Sequence, residues 1–111
     1  MGERSCLGEF ELMVILALVY LGEEAYGVPI ARELERRRGG GVAVGSVYAA
    51  LDRLERKGLI ASSLGEPTPE RGGKARRYFR ATQQGLRTIR ETRQILSDLW
   101  RNVPAREGKR I

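Results

Sequence analysis

The stretch VGSVYAALDRLERKGLI, Val44 to Ile60, decides how the chain is read. Val47, Leu51 and Leu54 recur at the spacing that places side chains on one face of an α-helix. A helix is expected over Val44–Lys57, stopped by Gly58. Ser46, Ala49, Ala50, Arg53 and Arg56 are expected to face away from the apolar stripe. Gly45, Ser46, Ala49 and Ala50 are small, so the outer side of this helix can approach another surface closely.

Upstream, Phe10 to Leu21 reads FELMVILALVYL. Its Leu, Met and Ala content favours helix over strand, and it is apolar almost all round. A helix from about Glu9 to Leu21, ended by Gly22 and buried on more than one side, is expected. Pro29 is tolerated only in a first helical turn, so a second helix starts between Tyr26 and Val28 and runs to about Arg38. Ile30 and Leu34 point inward, and Arg32, Glu33, Glu35, Arg36 and Arg37 form the wet side. Gly39, Gly40 and Gly41 make a loop.

Downstream, Leu59 to Leu64 and Ala75 to Ala81 are strand candidates. The Gly- and Pro-rich segment between them reads as a long hairpin loop with a basic tip. Thr82 reads as the N-cap of a last helix reaching about Asn102. On it Leu86, Ile89, Leu96, Trp100 and Val103, with Arg93 at the one polar seam position, follow a coiled-coil-like period. A helix that long cannot bury its stripe on so small a body, so a second copy of the chain is the expected partner. Phe10 and Met13 are assigned to the same dimerisation surface.

The fold class expected is therefore mostly α with a small β-hairpin. Its plan is a winged helix-turn-helix with an N-terminal helix and a long C-terminal dimerisation helix. Residues 1–81 would form the winged-helix domain, 82–103 the dimerisation helix and 104–111 a flexible basic tail. In this plan the second helix crosses a DNA backbone, the third enters the major groove, and the hairpin is a wing that reaches phosphates or the minor groove.

Composition agrees and excludes much. The 111 residues carry a formal net charge of +6, with 41% hydrophobic and 31% charged residues: a globular composition with a preference for acidic partners. Arg71, Lys74, Arg76, Arg77 and Arg80 concentrate that charge. There is no histidine and a single cysteine, Cys6, so an internal disulfide is impossible and a metal site or a His-based active site is not expected. No cofactor is expected. The run Leu12 to Leu21 is too short to span a bilayer and no signal peptide precedes it, so a cytoplasmic, non-membrane protein is expected. Gly39-Gly40-Gly41 is not followed by the Gly-Lys-Ser/Thr of a phosphate-binding loop, and no nucleophile–base pair suggests an enzyme.

The chain resembles the PadR family of bacterial transcriptional regulators. The resemblance is carried by LGEFELMVILALVYLGEEAYGVPIARELE, by VGSVYAALDRLERKGLI and by GEPTPERGGKARRYFRATQQG. Tyr26-Gly27, Val47-Tyr48 with Leu51-Arg53-Leu54-Gly58-Leu59, and Arg77-Tyr78-Phe79 stand in family order. The single last helix is like that of the short branch of the family. Ala43-Val44 replace the common Ser-Pro before the third helix, and Thr82-Gln83-Gln84-Gly85 replace Thr-Pro-Glu-Gly.

What the residues and the resemblance imply is a dimeric, sequence-specific repressor that binds double-stranded DNA at a palindromic operator. Gly45, Ser46, Tyr48, Ala49 and Arg53 would serve on the third helix. Tyr48 could meet a phosphate through its hydroxyl while its ring packs on the domain. Tyr26 would stand at a helix N-terminus, where free N–H groups favour phosphate; a plain core tyrosine is the other reading. In the wing, alternation along Arg76-Arg77-Tyr78-Phe79-Arg80 means that not every arginine can face DNA. Arg71, Lys74 and Arg76 are preferred and Arg77 comes second. Relatives that stack flat ligands on an aromatic at the dimer centre suggest an effector pocket for a small aromatic ligand at Phe10, Met13, Leu96 and Trp100; plain core filling is the other reading of Trp100. The competing function is a non-specific, nucleoid-type nucleic-acid-binding protein.

Overall fold

In the computed structural model, residues 7–66 and 75–105 are described. Helix α1 spans Glu9–Leu21, followed by a 3-10 turn at Gly22–Glu24, α2 at Gly27–Arg38, α3 at Val44–Arg56, β1 at Ile60–Leu64, β2 at Arg77–Ala81 and α4 at Gln83–Trp100. The order is that expected from the sequence. The helix ends differ by a residue or two: α3 stops before Lys57, and α4 stops at Trp100 rather than reaching Asn102.

One core joins α1, α2, α3 and the hairpin. Val14, Ile15, Ile30, Val47, Leu51, Leu54 and Leu59 are fully or almost fully buried in it, and Phe79 enters from β2. Ala50 is also fully buried, against the expectation that it faces outward. Leu54 lies between it and Val47 in rotation, so Ala50 widens the inward stripe at its border to four positions and lets α3 sit close on its neighbours.

The hairpin is antiparallel, with Ile60 opposite Ala81 and Leu64 opposite Arg77. It is tied to the helices at both edges. The Phe79 N–H donates to the Ala25 carbonyl at 2.9 Å, which extends the hairpin by one short bridge to the segment before α2. Glu55 on α3 accepts from the Ser62 hydroxyl at 2.8 Å and from Arg77 at 2.7 Å, holding both strands.

The joint to α4 is built by Thr82. Its hydroxyl oxygen accepts from the Gly85 N–H at 3.0 Å, capping the helix, and its hydroxyl donates to the Gly58 carbonyl at 2.8 Å. Gly58 can present that carbonyl because it turns the chain at φ +79°, a conformation that side chains resist. Gly85 packs so closely on Leu59 that a Cβ would overlap the Leu59 carbonyl oxygen. The loss of proline after Thr82 therefore leaves the cap intact. Beyond this joint α4 projects from the body: Leu86 and Ile89 are partly buried, whereas Ile95, Leu96, Leu99 and Trp100 are exposed.

Candidate nucleic-acid interface

The start of α2, the outer side of α3 and the base of the hairpin meet at one place. Helix α2 begins after Tyr26 with no side-chain cap and no acidic residue in its first turn. The positive end of its dipole is thus not neutralised from within its own first turn. Gly27, the first helical residue, is buried because the Tyr48 ring of α3 lies directly over it; a Cβ at position 27 would fall inside that ring. Tyr48 keeps 37% of its surface exposed, so its ring is anchored while part of it faces solvent.

Tyr26 is half-buried in a stack. The Arg76 guanidinium lies 4.2 Å from the centroid of its ring, and the Tyr78 ring meets it edge-on at 5.5 Å. The Arg76 Nε is buried with no hydrogen-bond partner among the described residues. A cation on an aromatic face is attracted by the ring quadrupole and held in place. Arg76 is therefore positioned by Tyr26 beside the open end of α2. Tyr26 stands at the N-cap of α2, as expected, and its ring packs against Arg76 and Tyr78.

Alternation in the second strand separates the arginines as expected. Arg77 points to the other face, where it pairs with Glu55 and lies 5.1 Å from the centroid of the Phe79 ring. That is a bracing position rather than a place at the α2 end. Arg71 and Lys74 fall outside the described residues, as does Cys6.

On α3, Gly45, Ser46 and Ala49 are exposed, as is Val44 at the helix start. Ala43 stands at the N-cap without a side-chain hydrogen bond, and Ser46 does not take over that role, so its hydroxyl is unengaged among the described residues. Arg53 is exposed but not free: its Nε donates to Glu11 at 2.7 Å. Sequence reasoning missed this clamp. Glu11 is the buried acid of α1, 6% exposed, and also accepts from Lys57 at 3.0 Å and from the Gly8 N–H at 3.0 Å. Burial alone would raise its carboxyl pKa, but the hydrogen bonds from Arg53, Gly8 and Lys57 outweigh it and hold the pKa down to about 2. The clamp fixes the far end of α3 against the start of α1.

Helices α1 and α4 line an apolar cavity of about 370 Å³, open to solvent, whose walls include Leu12, Leu16, Ile89, Arg93, Leu96 and Trp100. The four residues expected to form one effector pocket are not brought together within the chain. Leu96 and Trp100 line this cavity, but Met13 lines a different one beside Tyr20 and Arg37, and Phe10 a third beside Val42 and Ser46. Leu12 and Leu16 take their places. Helix α1 is apolar on nearly every side, so no periodicity could have told which of its residues face α4.

Among the described residues no helix is long and apolar enough to cross a membrane, and no group of acidic, Cys or His residues is placed to hold a metal.

Known proteins share this fold. The model of the transcriptional regulator PadR-like family matches residues 15–91. Transcriptional regulator Rv3488 of Mycobacterium tuberculosis is 38% identical over 80 residues, covering 72% of this chain and 70% of that protein. Among solved structures, a PadR family transcriptional regulator from Eggerthella lenta superposes with a TM-score of 0.67 at 30% identity, over 85% of this chain and 77% of that one. A PadR family regulator from Clostridium difficile R20291 gives 0.65 at 25% identity, over 83% of this chain and 92% of that one. The winged helix, the DNA-facing plan it implies and the family match agree: the chain belongs to the PadR-like family of transcriptional regulators and is a DNA-binding regulator.

Proposed function

We propose that this regulator is a homodimeric, sequence-specific repressor acting in the bacterial cytoplasm on a palindromic operator. Helix α3 enters the major groove. Tyr48, Arg76 and the open end of α2 take the flanking phosphates, and α4 pairs with a second copy. The observation that supports this best is the state of α4. Leu99 is 63% exposed, Trp100 64% and Val103 54%, and α1 adds Leu16 at 47% beside them. A monomer gains nothing from such a surface; two copies related by a two-fold axis bury it in each other. On a palindromic operator the two α3 helices of such a dimer would enter half-sites about one DNA turn, roughly 34 Å, or a multiple of it apart. A dimer seated over a promoter represses by occupancy.

A flat aromatic effector is proposed to stack on Trp100 in the α1–α4 cavity. An exposed indole at the edge of an apolar space of about 370 Å³ supports it.

Selection of bound duplexes from random DNA, followed by salt titration against scrambled duplex, tests the reading. A recovered inverted repeat bound with a steep salt dependence is the expected result. Equal affinity for recovered and scrambled DNA would instead favour the nucleoid-type alternative.

A further inference from the structure

Four exposed residues run down the middle of the outer side of α3: Gly45, Ala49, Asp52 and Arg56. Their spacing of four, three and four puts them in one row, opposite the buried row of Val47, Ala50, Leu51 and Leu54. The row that a groove-entering helix presents to base edges therefore contains an acid. Asp52 makes no ion pair or hydrogen bond among the described residues, although Arg56 stands one turn away on the same row. Its neighbour Arg53 is turned aside and held by Glu11.

A carboxylate here is costly unless it is used. DNA presents a dense row of negative phosphates, and an uncompensated acid on the docking face weakens binding to every sequence alike. In the major groove one kind of base group repays it. The exocyclic amines, cytosine N4 and adenine N6, are the hydrogen-bond donors there, and a carboxylate is an acceptor only. The first two exposed turns of α3 offer Val44, Gly45, Ser46, Tyr48 and Ala49, with no Arg, Lys, Asn or Gln. The bidentate readers of guanine and adenine are thus missing from the part of the helix that enters deepest. Gly45 and Ala49 add no bulk between the helix and the groove floor, which brings the Asp52 side chain within reach of it.

We propose that Asp52 is a base-discriminating residue that accepts a hydrogen bond from an exocyclic amine in the major groove. The inference rests on the reading of α3 as the helix that enters the groove of a specific operator. Asp52 adds specificity by two routes: it rewards one base at one position of each half-site, and it repels DNA that lacks that base.

The test is bound-site selection from random duplex with the full-length chain and with Asp52→Ala and Asp52→Asn. The wild type should yield an inverted repeat in which one position per half-site carries an amine-bearing base. Cytosine there identifies N4 as the donor, and adenine identifies N6. In Asp52→Ala that position should lose its preference, with discrimination falling about tenfold while affinity for scrambled duplex rises. Replacing the chosen base by an analogue without the amine should weaken the wild type and leave Asp52→Ala unaffected. Asp52→Asn, which has the same shape without the charge, should also bind scrambled duplex more tightly than the wild type. Unchanged preferences at every position in Asp52→Ala would overturn the role of Asp52 and leave the operator reading standing. Recovery of no preferred site by the wild type would overturn both.

Discussion

The Tyr48 ring occupies the space that any side chain on Gly27 would need. This contact locks α3 onto the first turn of α2, and it leaves the tyrosine partly exposed. Gly27→Ala must therefore push the ring out or move α2 against α3. Overpacking of this kind costs about 1–3 kcal/mol. The expected outcome is a lower unfolding midpoint and DNA affinity reduced more than in Tyr48→Phe, which keeps the ring and removes only the hydroxyl. A Gly27→Ala protein with wild-type stability and affinity would show that the contact is dispensable.

Glu11 gives a pH-dependent prediction. Its pKa is held at about 2, below the ordinary value of 4.5, so the charged form is the one the fold favours. The sign follows from linkage: the stabilisation is complete above about pH 4.5, shrinks as pH falls, and is lost at about pH 2. The shift corresponds to about 2–3 kcal/mol, allowing for the partial exposure of Arg53. Glu11→Gln should be less stable than the wild type by about that amount at neutral pH, and the gap should close on acidification. Urea unfolding at several pH values measures it. A gap that does not change with pH would count against the ionic clamp.

The Glu11 clamp also marks where sequence reading stops. Hydrophobic spacing identifies α2 and α3 because each has one wet side, and Gly39 and Gly58 mark turns because the chain takes positive φ there. Arg53 sits on the outer side of α3 by the same periodicity, and nothing local ties it to an acid 42 residues away. Partners across that distance are set by how α1 and α3 cross, which periodicity does not encode. Ala50 is a milder case: a small side chain at the border of the stripe reads as outward until the close approach of neighbouring helices buries it. The row of Asp52 was fully written in the sequence, yet its meaning depended on knowing which side of α3 stays open.

Arg76 and Arg77 are adjacent in sequence and should behave differently. Arg76 stacks on Tyr26 beside the uncapped end of α2, whereas Arg77 pairs with Glu55. Arg76→Ala is expected to lower the slope of log affinity against log salt by about one, the signature of one lost phosphate contact, with a small effect on stability. Arg77→Ala should leave the slope unchanged and lower stability by about 0.5–1 kcal/mol, since the pair it breaks is part-exposed. If both variants change the slope equally, the separation of roles is wrong.

The exposed end of α4 yields the sharpest test of assembly. Leu96 and Trp100 contribute almost nothing to the core of their own chain, so a charge at either site should not unfold the body. In a dimer the same charge would be buried without a partner at the two-fold axis and meet its own copy. Leu96→Asp should therefore shift the protein from dimer to monomer in analytical ultracentrifugation while its helical signal and thermal midpoint, measured at low concentration, stay near those of the dissociated wild type. Operator affinity should fall by two orders of magnitude or more, because two half-sites would be bound by separate chains instead of one linked pair. Affinity for an isolated half-site should stay the same. A Leu96→Asp protein that remains dimeric would place the pairing surface elsewhere and leave the apolar row on α4 without its proposed partner.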